Sequence, residues 1–131
     1  MNTNVACLVE DDPIHQFITN QHLEKSGYFN HILIFENGKK AFEHLEDLQE
    51  SGDSFPDLIL LDLNMPIWSG WDFLDALKTL SFDGIMTIYI LTSSENEEDF
   101  QRAGKYGLGD KYFIKPITKD NVKTIIEEMG A

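Results

Sequence analysis

One cysteine, Cys7, is all the chain offers for thiol chemistry. It excludes an internal disulfide and fits a reducing, cytoplasmic setting. No apolar run approaches the length of a membrane span. The N-terminus has no basic stretch leading into an apolar one, so neither secretion nor membrane insertion is expected. Bases are scarce as well: 10 Lys and Arg stand against 23 Asp and Glu, a net charge of −13. A phosphate backbone rewards cations, which argues against nucleic acid as a direct ligand. There is no repeat, low-complexity tract or linker, and 131 residues suit one domain spanning 1–131.

The few bases are unevenly placed. Residues 1–101 hold 19 acids and 4 bases, whereas residues 102–131 hold 4 acids and 6 bases. A mildly positive last segment on an acidic protein reads either as chance or as a partner surface on the last strand and helix. Its expected occupant is an acidic partner or a second copy of the chain.

What the chain does have is an alternation of strand and helix signals, repeated five times. The expected strands are Val5–Val9, Ile32–Phe35, Leu58–Leu61, Met86–Leu91 and Lys111–Ile114. Runs as apolar as Leu58–Leu61 fit strands covered on both faces. Asp12-Pro13 reads as a cap followed by proline at the first helical position. Ile14, Phe17, Ile18 and Leu23 offer that helix an apolar stripe, and Gly27 stops it. Asn37-Gly38 opens a second helix with Ala41, Phe42, Leu45 and Leu48 on one face. Ser69-Gly70 opens a third with Phe73, Leu74 and Leu77. Ser94 and Glu97 form a capping-box pattern for a fourth. Thr118 caps a fifth that carries Val122, Ile125, Ile126 and Met129. Strict alternation in one short domain predicts an α/β fold, a three-layer αβα sandwich with right-handed crossovers. Such folds place ligands beyond the carboxyl ends of the strands.

Polar residues collect at those ends. Glu10-Asp11-Asp12 follows the first strand, Asp62 ends the third, Thr92 and Ser93 follow the fourth, and Lys115-Pro116 follows the fifth. Asp12 by itself reads as a helix cap. Glu10, Asp11 and Asp62 together would repel one another, and a fold seldom keeps such a cluster without a cation or raised pKa values. Their hard oxygens suit magnesium, or its close substitute manganese. Asp62 sits on a rigid strand end, where a carboxylate can attack phosphorus; alone it reads equally well as the cap of the turn Asp62-Leu63-Asn64-Met65-Pro66. Thr92 can donate to a phosphoryl oxygen, although hydroxyls before helices are common. Lys115 can reach such an oxygen as a point charge, and its bond to Pro116 is a candidate for the cis form. His15, His22, His31 and His44 show no ligand spacing and read as surface or helix-face residues. Cys7 reads as core, Trp71 as packing, and Trp68 as either packing or a partial cover of the site.

These residues resemble the receiver domain of two-component response regulators, of the kind typified by the bacterial chemotaxis regulator. The likeness spans nearly the whole chain: an acid pair (Glu10-Asp11), a central Asp62 with Asn64-Met65-Pro66 and Gly70 after it, Thr92, and Lys115-Pro116, in that order. It implies a flavodoxin-like five-stranded parallel sheet of order 2-1-3-4-5. It implies that Asp62 is the phosphoacceptor, fed by the phosphohistidine of a sensor histidine kinase or histidine phosphotransfer protein. The metal would be held by Asp11 and Asp62 directly, by Glu10 through water, and by the backbone carbonyl of Asn64. Lys115 would contact the phosphoryl group, Thr92 would move toward it, and Tyr112 would swing inward. Asn64 and Ser94 occupy the positions that tune dephosphorylation. The signal would leave through the face made by the fourth helix, fifth strand and fifth helix, toward a protein target or in a homodimer, with no output domain after Ala131. Such a protein catalyses only its own phosphorylation and dephosphorylation. The acid pair here is Glu-Asp rather than the commoner Asp-Asp, which leaves the contact mode of Glu10 open.

Two rivals remain. A phosphatase of the haloacid-dehalogenase type uses similar groups, but with the nucleophile first in an Asp-x-Asp pattern and the paired acids last. A receiver-like module that binds proteins and is never phosphorylated would not need every site position filled.

Overall fold

Five apolar runs pair side by side in parallel, in the order β2-β1-β3-β4-β5. The structure is a computed structural model that describes residues 4–81 and 84–130; the outer ends of the single domain read from the sequence, 1–3 and 131, lie outside the described residues. The elements in chain order are β1 Val5–Val9, α1 Pro13–Ser26, β2 His31–Phe35, α2 Gly38–Ser51, β3 Leu58–Leu61, α3 Gly70–Leu77, β4 Thr87–Thr92, α4 Glu97–Lys105, β5 Tyr112–Ile114 and α5 Lys119–Glu128. All five expected strands are present, with ends shifted by a residue in β2, β4 and β5.

Strand alternation divides the core in two. Cys7, Val9, Ile59, Leu61 and Ile90 face one way and meet Ala41 and Leu45 of α2, Phe73, Leu74 and Leu77 of α3, and Ala103 of α4. Ala6, Leu8, Leu58, Leu60, Tyr89 and Leu91 face the other way and meet Leu23 of α1 and Val122 and Ile125 of α5. The result is the three-layer, flavodoxin-like sandwich. Cys7 is buried in it, and burial pushes its thiol up to about 12. Among the described residues no helix is long and apolar enough to cross a membrane.

Two local expectations are corrected. In α1, Thr19 and Leu23 are buried, but Ile14 and Phe17 are 69% and 65% exposed. Leu23 lies nine residues beyond Ile14, and at about 100° per residue that is the opposite side of the helix. One stripe could not hold both. In α4 the cap is Asn96, whose side chain accepts from the Glu98 amide. Ser94 lies two residues earlier and its hydroxyl donates to Asp99. The other caps stand as read: Asp12 for α1, Asn37 for α2, Ser69 for α3 and Thr118 for α5.

Candidate functional site

Strand register builds the site. Val9 is paired with both Phe35 and Leu61, so Glu10 and Asp62 leave neighbouring strands at the same level. Their amides continue the ladder, Glu10 N donating to Phe35 O at 2.9 Å and Asp62 N to Val9 O at 3.0 Å. On the other side Thr92 is paired with Ile114, and Lys115 N donates to Thr92 O at 2.9 Å. The carboxyl edge thus gathers the acids, the threonine and the lysine from four strand ends.

One carboxylate oxygen from each of Glu10, Asp11 and Asp62 lies within 4.8 Å of the others. Asp11 is exposed, whereas Glu10 and Asp62 are 1% and 5% exposed. The Lys115 ammonium, itself buried, donates to Asp62 Oδ2 at 3.0 Å and forms an ion pair with Glu10 Oε1. Asp62 Oδ1 accepts from the Leu63 amide at 2.7 Å. Glu10 Oε2 accepts from the Asp12 amide at 3.1 Å. Among the described residues, the Lys115 ammonium is the one polar group that meets Glu10 Oε1. Three carboxylates with a single lysine to balance them are a donor set suited to a hard divalent cation.

Electrostatics agree with that reading. Burial pushes Glu10 up to about 7, aided by the charge of Asp62 and opposed by Lys115 and the Asp12 amide. Burial pulls Lys115 down, but its hydrogen bonds and charge contacts with Glu10 and Asp62 outweigh this and hold it above its ordinary value. A carboxyl whose folded pKa exceeds the unfolded 4.5 binds its proton more tightly when folded. Its contribution to stability is greatest below pH 4.5 and is lost as pH rises through about 7. Metal-free wild type should therefore lose thermal stability across this range relative to Glu10→Gln, and millimolar Mg²⁺ should cancel the loss at the alkaline end. Parallel melting curves for the two proteins at every pH would count against it.

Beyond the carboxylates, Thr92 is fully buried and its hydroxyl oxygen accepts from the Ser94 amide at 3.3 Å. The Tyr112 hydroxyl donates to the Ser94 carbonyl at 3.0 Å, and its ring lies 4.2 Å from that of Phe100. Burial raises the Tyr112 pKa, with the charges of Asp99 and Asp62 adding and the Ser94 bond opposing. Ser94 therefore holds Thr92 through its amide and Tyr112 through its carbonyl. Asn64 is exposed in the turn after Asp62. The Lys115-Pro116 bond is cis. Trp68 rests against Phe42 of α2, their ring centres 5.5 Å apart, and Trp71 is buried and stacked on Tyr106. His31 is exposed, His15 and His22 are half-buried, and His44 is half-buried against Phe35.

Sequence reading missed one support, Gln16, and named a second, Gly70, without its close contact. Gln16, one turn into α1, donates its side-chain amide to the Glu10 carbonyl at 2.6 Å. Gly70 lies against the Asp62 backbone so closely that an added Cβ would stand 2.4 Å from the Asp62 carbonyl oxygen. The Gly after the Asp62 turn was a visible signal for the second; a single Gln in a helix gave none for the first.

Comparison with known proteins gives one family. The family model described as the response regulator receiver domain matches residues 6–127. The probable methanogenesis regulatory protein FilR2 of Methanothrix harundinacea is 29% identical over 95% of this chain and 80% of its own length. The bacteriophytochrome response regulator AtBRR is similar with a TM-score of 0.81 and 26% identity, over 99% of this chain and 94% of that one. The Mn²⁺-bound form of response regulator Rcp1 follows at 0.73 and 29%, over 93% and 88%. The chain spans about half the length of several other curated relatives it matches.

Proposed function

The chain belongs to the response regulator receiver-domain family, and on that premise we propose that Asp62 takes a phosphoryl group from the phosphohistidine of a sensor histidine kinase or histidine phosphotransfer protein. The observation that carries this is the convergence of Glu10, Asp11 and Asp62 within 4.8 Å beside the buried Lys115 ammonium. A carboxylate oxygen of Asp62 attacks phosphorus, the P–N bond to the donor imidazole breaks, and an aspartyl phosphate remains. Glu10, Asp11, Asp62 and the Asn64 carbonyl are the groups that would hold Mg²⁺ or Mn²⁺. The ion, when bound, supplies positive charge against the carboxylates and the phosphoryl oxygens. Lys115, relieved of part of its pairing with Glu10, contacts the new phosphoryl group.

The acyl phosphate then attracts Thr92. Moving its hydroxyl means giving up the Ser94 amide, and Ser94 also holds Tyr112. The loop before α4 shifts, and the α4–β5–α5 face changes partner preference, toward a protein target or a second copy. Asn64 and Ser94 set how readily water reaches the phosphate. The protein acts on itself alone, in the cytoplasm. Incubation with acetyl phosphate and Mg²⁺, followed by intact-mass measurement, should show a single added phosphoryl group. Steady hydrolysis of a phosphomonoester with no phosphorylated protein would favour the phosphatase reading instead.

The donor surface follows from exposed apolar residues. Ile14 and Phe17 on α1 and Ile67 after Asp62 are 69%, 65% and 72% exposed on segments that begin at the site. Together they would offer a histidine-bearing donor an apolar docking area beside the site. Phe17→Glu should slow phosphotransfer from a histidine-bearing protein donor by about tenfold or more while leaving acetyl phosphate labelling unchanged. Equal losses with both donors would mean that the helix, not the docking, was damaged.

A further inference from the structure

The basic C-terminal segment is split by the fold. Lys111 is paired with Glu128 and Lys115 is committed to the carboxylates. Arg102 and Lys105 turn instead toward α3 and meet Lys78 at its end. These three cations line an open cleft of about 480 Å³ with Glu98, Gln101 and Tyr106. Tyr106 is the aromatic residue of its lining, and the buried Trp71 lies beneath Arg102. The Lys78 ammonium lies 4.8 Å from the Tyr106 ring centre and the Arg102 guanidinium 4.7 Å from that of Trp71. Trp71 and Tyr106 are themselves stacked at 5.4 Å.

Compensation within the chain is thin here. Asp75 reaches Lys78 only at 3.9 Å and accepts the Tyr106 hydroxyl at 2.6 Å. Arg102 and Lys105 make no ion pair among the described residues. Three of the ten bases on a protein of net charge −13 thus share one cleft, against Glu98 on its wall and Asp75 beside Lys78, which leaves a local excess of positive charge.

We propose that this α3–α4 cleft docks an acidic, extended segment of a protein partner. Two features select that occupant. Arg102 and Lys105 share the last turn of α4 and Lys78 stands just past the end of α3, so the cations come from two elements and suit carboxylates in series rather than a single anion. They also stand at helix C-terminal ends, where carbonyls rather than amides face outward, so no backbone donors converge to seat a phosphate. The rings of Tyr106 and Trp71 hold Lys78 and Arg102 in place, and Tyr106 offers contact to apolar residues between the acids. This surface is distinct from the one around Asp62 and from Lys119 and Lys123 on α5, and its test needs no phosphorylation of Asp62.

The test is a titration of uniformly ¹⁵N-labelled protein with a short Glu- and Asp-rich peptide containing tyrosine, and with its Gln/Asn counterpart. Amide shifts should map to Lys78, Arg102, Lys105 and Tyr106, weaken with added salt, and be absent with the neutral peptide. Arg102→Glu with Lys105→Glu should weaken binding by about tenfold or more, and Lys119→Glu with Lys123→Glu should not. Arg102→Gln with Lys105→Gln serves if charge reversal unfolds the protein. No shifts, shifts spread over all lysines, or displacement of the peptide by equimolar inorganic phosphate would each overturn the proposal.

Discussion

Asp62→Asn should take up no phosphoryl group from acetyl phosphate under conditions that label wild type. The amide keeps the shape of the side chain, and its oxygen can still accept from the Leu63 amide as Asp62 Oδ1 does at 2.7 Å. What disappears is the anionic nucleophile. The fold should survive the change. Asp62 is attracted by Lys115 at 3.0 Å and repelled by Glu10 and Asp11 within 4.8 Å. Each such repulsion amounts to about 3 kcal/mol at the effective dielectric of a protein surface, before screening. Removing one attraction together with two repulsions leaves stability little changed, so the unfolding temperature should stay within a few degrees of wild type. Loss of labelling with retained folding separates the acceptor from a residue that only supports it. Label persisting in the variant would move the acceptor to another side chain. Wild type that takes no label from any donor would sink the phosphotransfer reading itself, while leaving the α3–α4 cleft untouched.

The site was legible because a parallel sheet puts chemistry at one kind of place. Once Leu58–Leu61 is read as a strand, the residue after it must sit on the carboxyl edge. The same holds for Glu10 after Val9 and Lys115 after Ile114. Order along the chain then sufficed to collect the acids, Thr92 and Lys115. What stayed hidden depends on which side of an element faces inward. The apolar residues of α1 lie around the whole helix, so periodicity did not tell the buried Leu23 from the exposed Ile14 and Phe17. The start of α4 offers Ser94 and Asn96, both good caps with acids following. The cap is Asn96, while the Ser94 hydroxyl is engaged by Asp99 and the Asn96 amide and the Ser94 carbonyl by Tyr112 of β5, the last a tertiary contact that local patterns cannot carry. The cleft of Lys78, Arg102 and Lys105 was out of reach for the same reason: its halves are separated by β4 and meet only when α3 and α4 lie side by side on the sheet.

Gly70→Ala should be the most disruptive single-methyl change in the chain. An alanine Cβ at this first residue of α3 would lie 2.4 Å from the Asp62 carbonyl oxygen, 3.0 Å from Leu63 Cα and 3.1 Å from Leu63 Cδ2. Two of the three obstacles are backbone, so no rotamer relieves the contact. The helix start would have to retreat, breaking the 2.9 Å bond from Gly70 N to Leu63 O and disturbing the Ser69–Asp72 capping box. A cost of about 3 kcal/mol is expected, at the upper end for overpacking. The displaced backbone is that of Asp62, so metal affinity and labelling should fall together with stability. Gly104→Ala is the matched control. Gly104 lies inside α4 with nothing within 4 Å of an added Cβ. Alanine there should raise stability by about 0.5–1 kcal/mol, because it reduces the freedom of the unfolded chain. Denaturant unfolding of both variants measures the contrast. A Gly70→Ala protein as stable and as readily labelled as wild type would mean that α3 does not press on the Asp62 strand end, and the close approach described for this site would have to be abandoned.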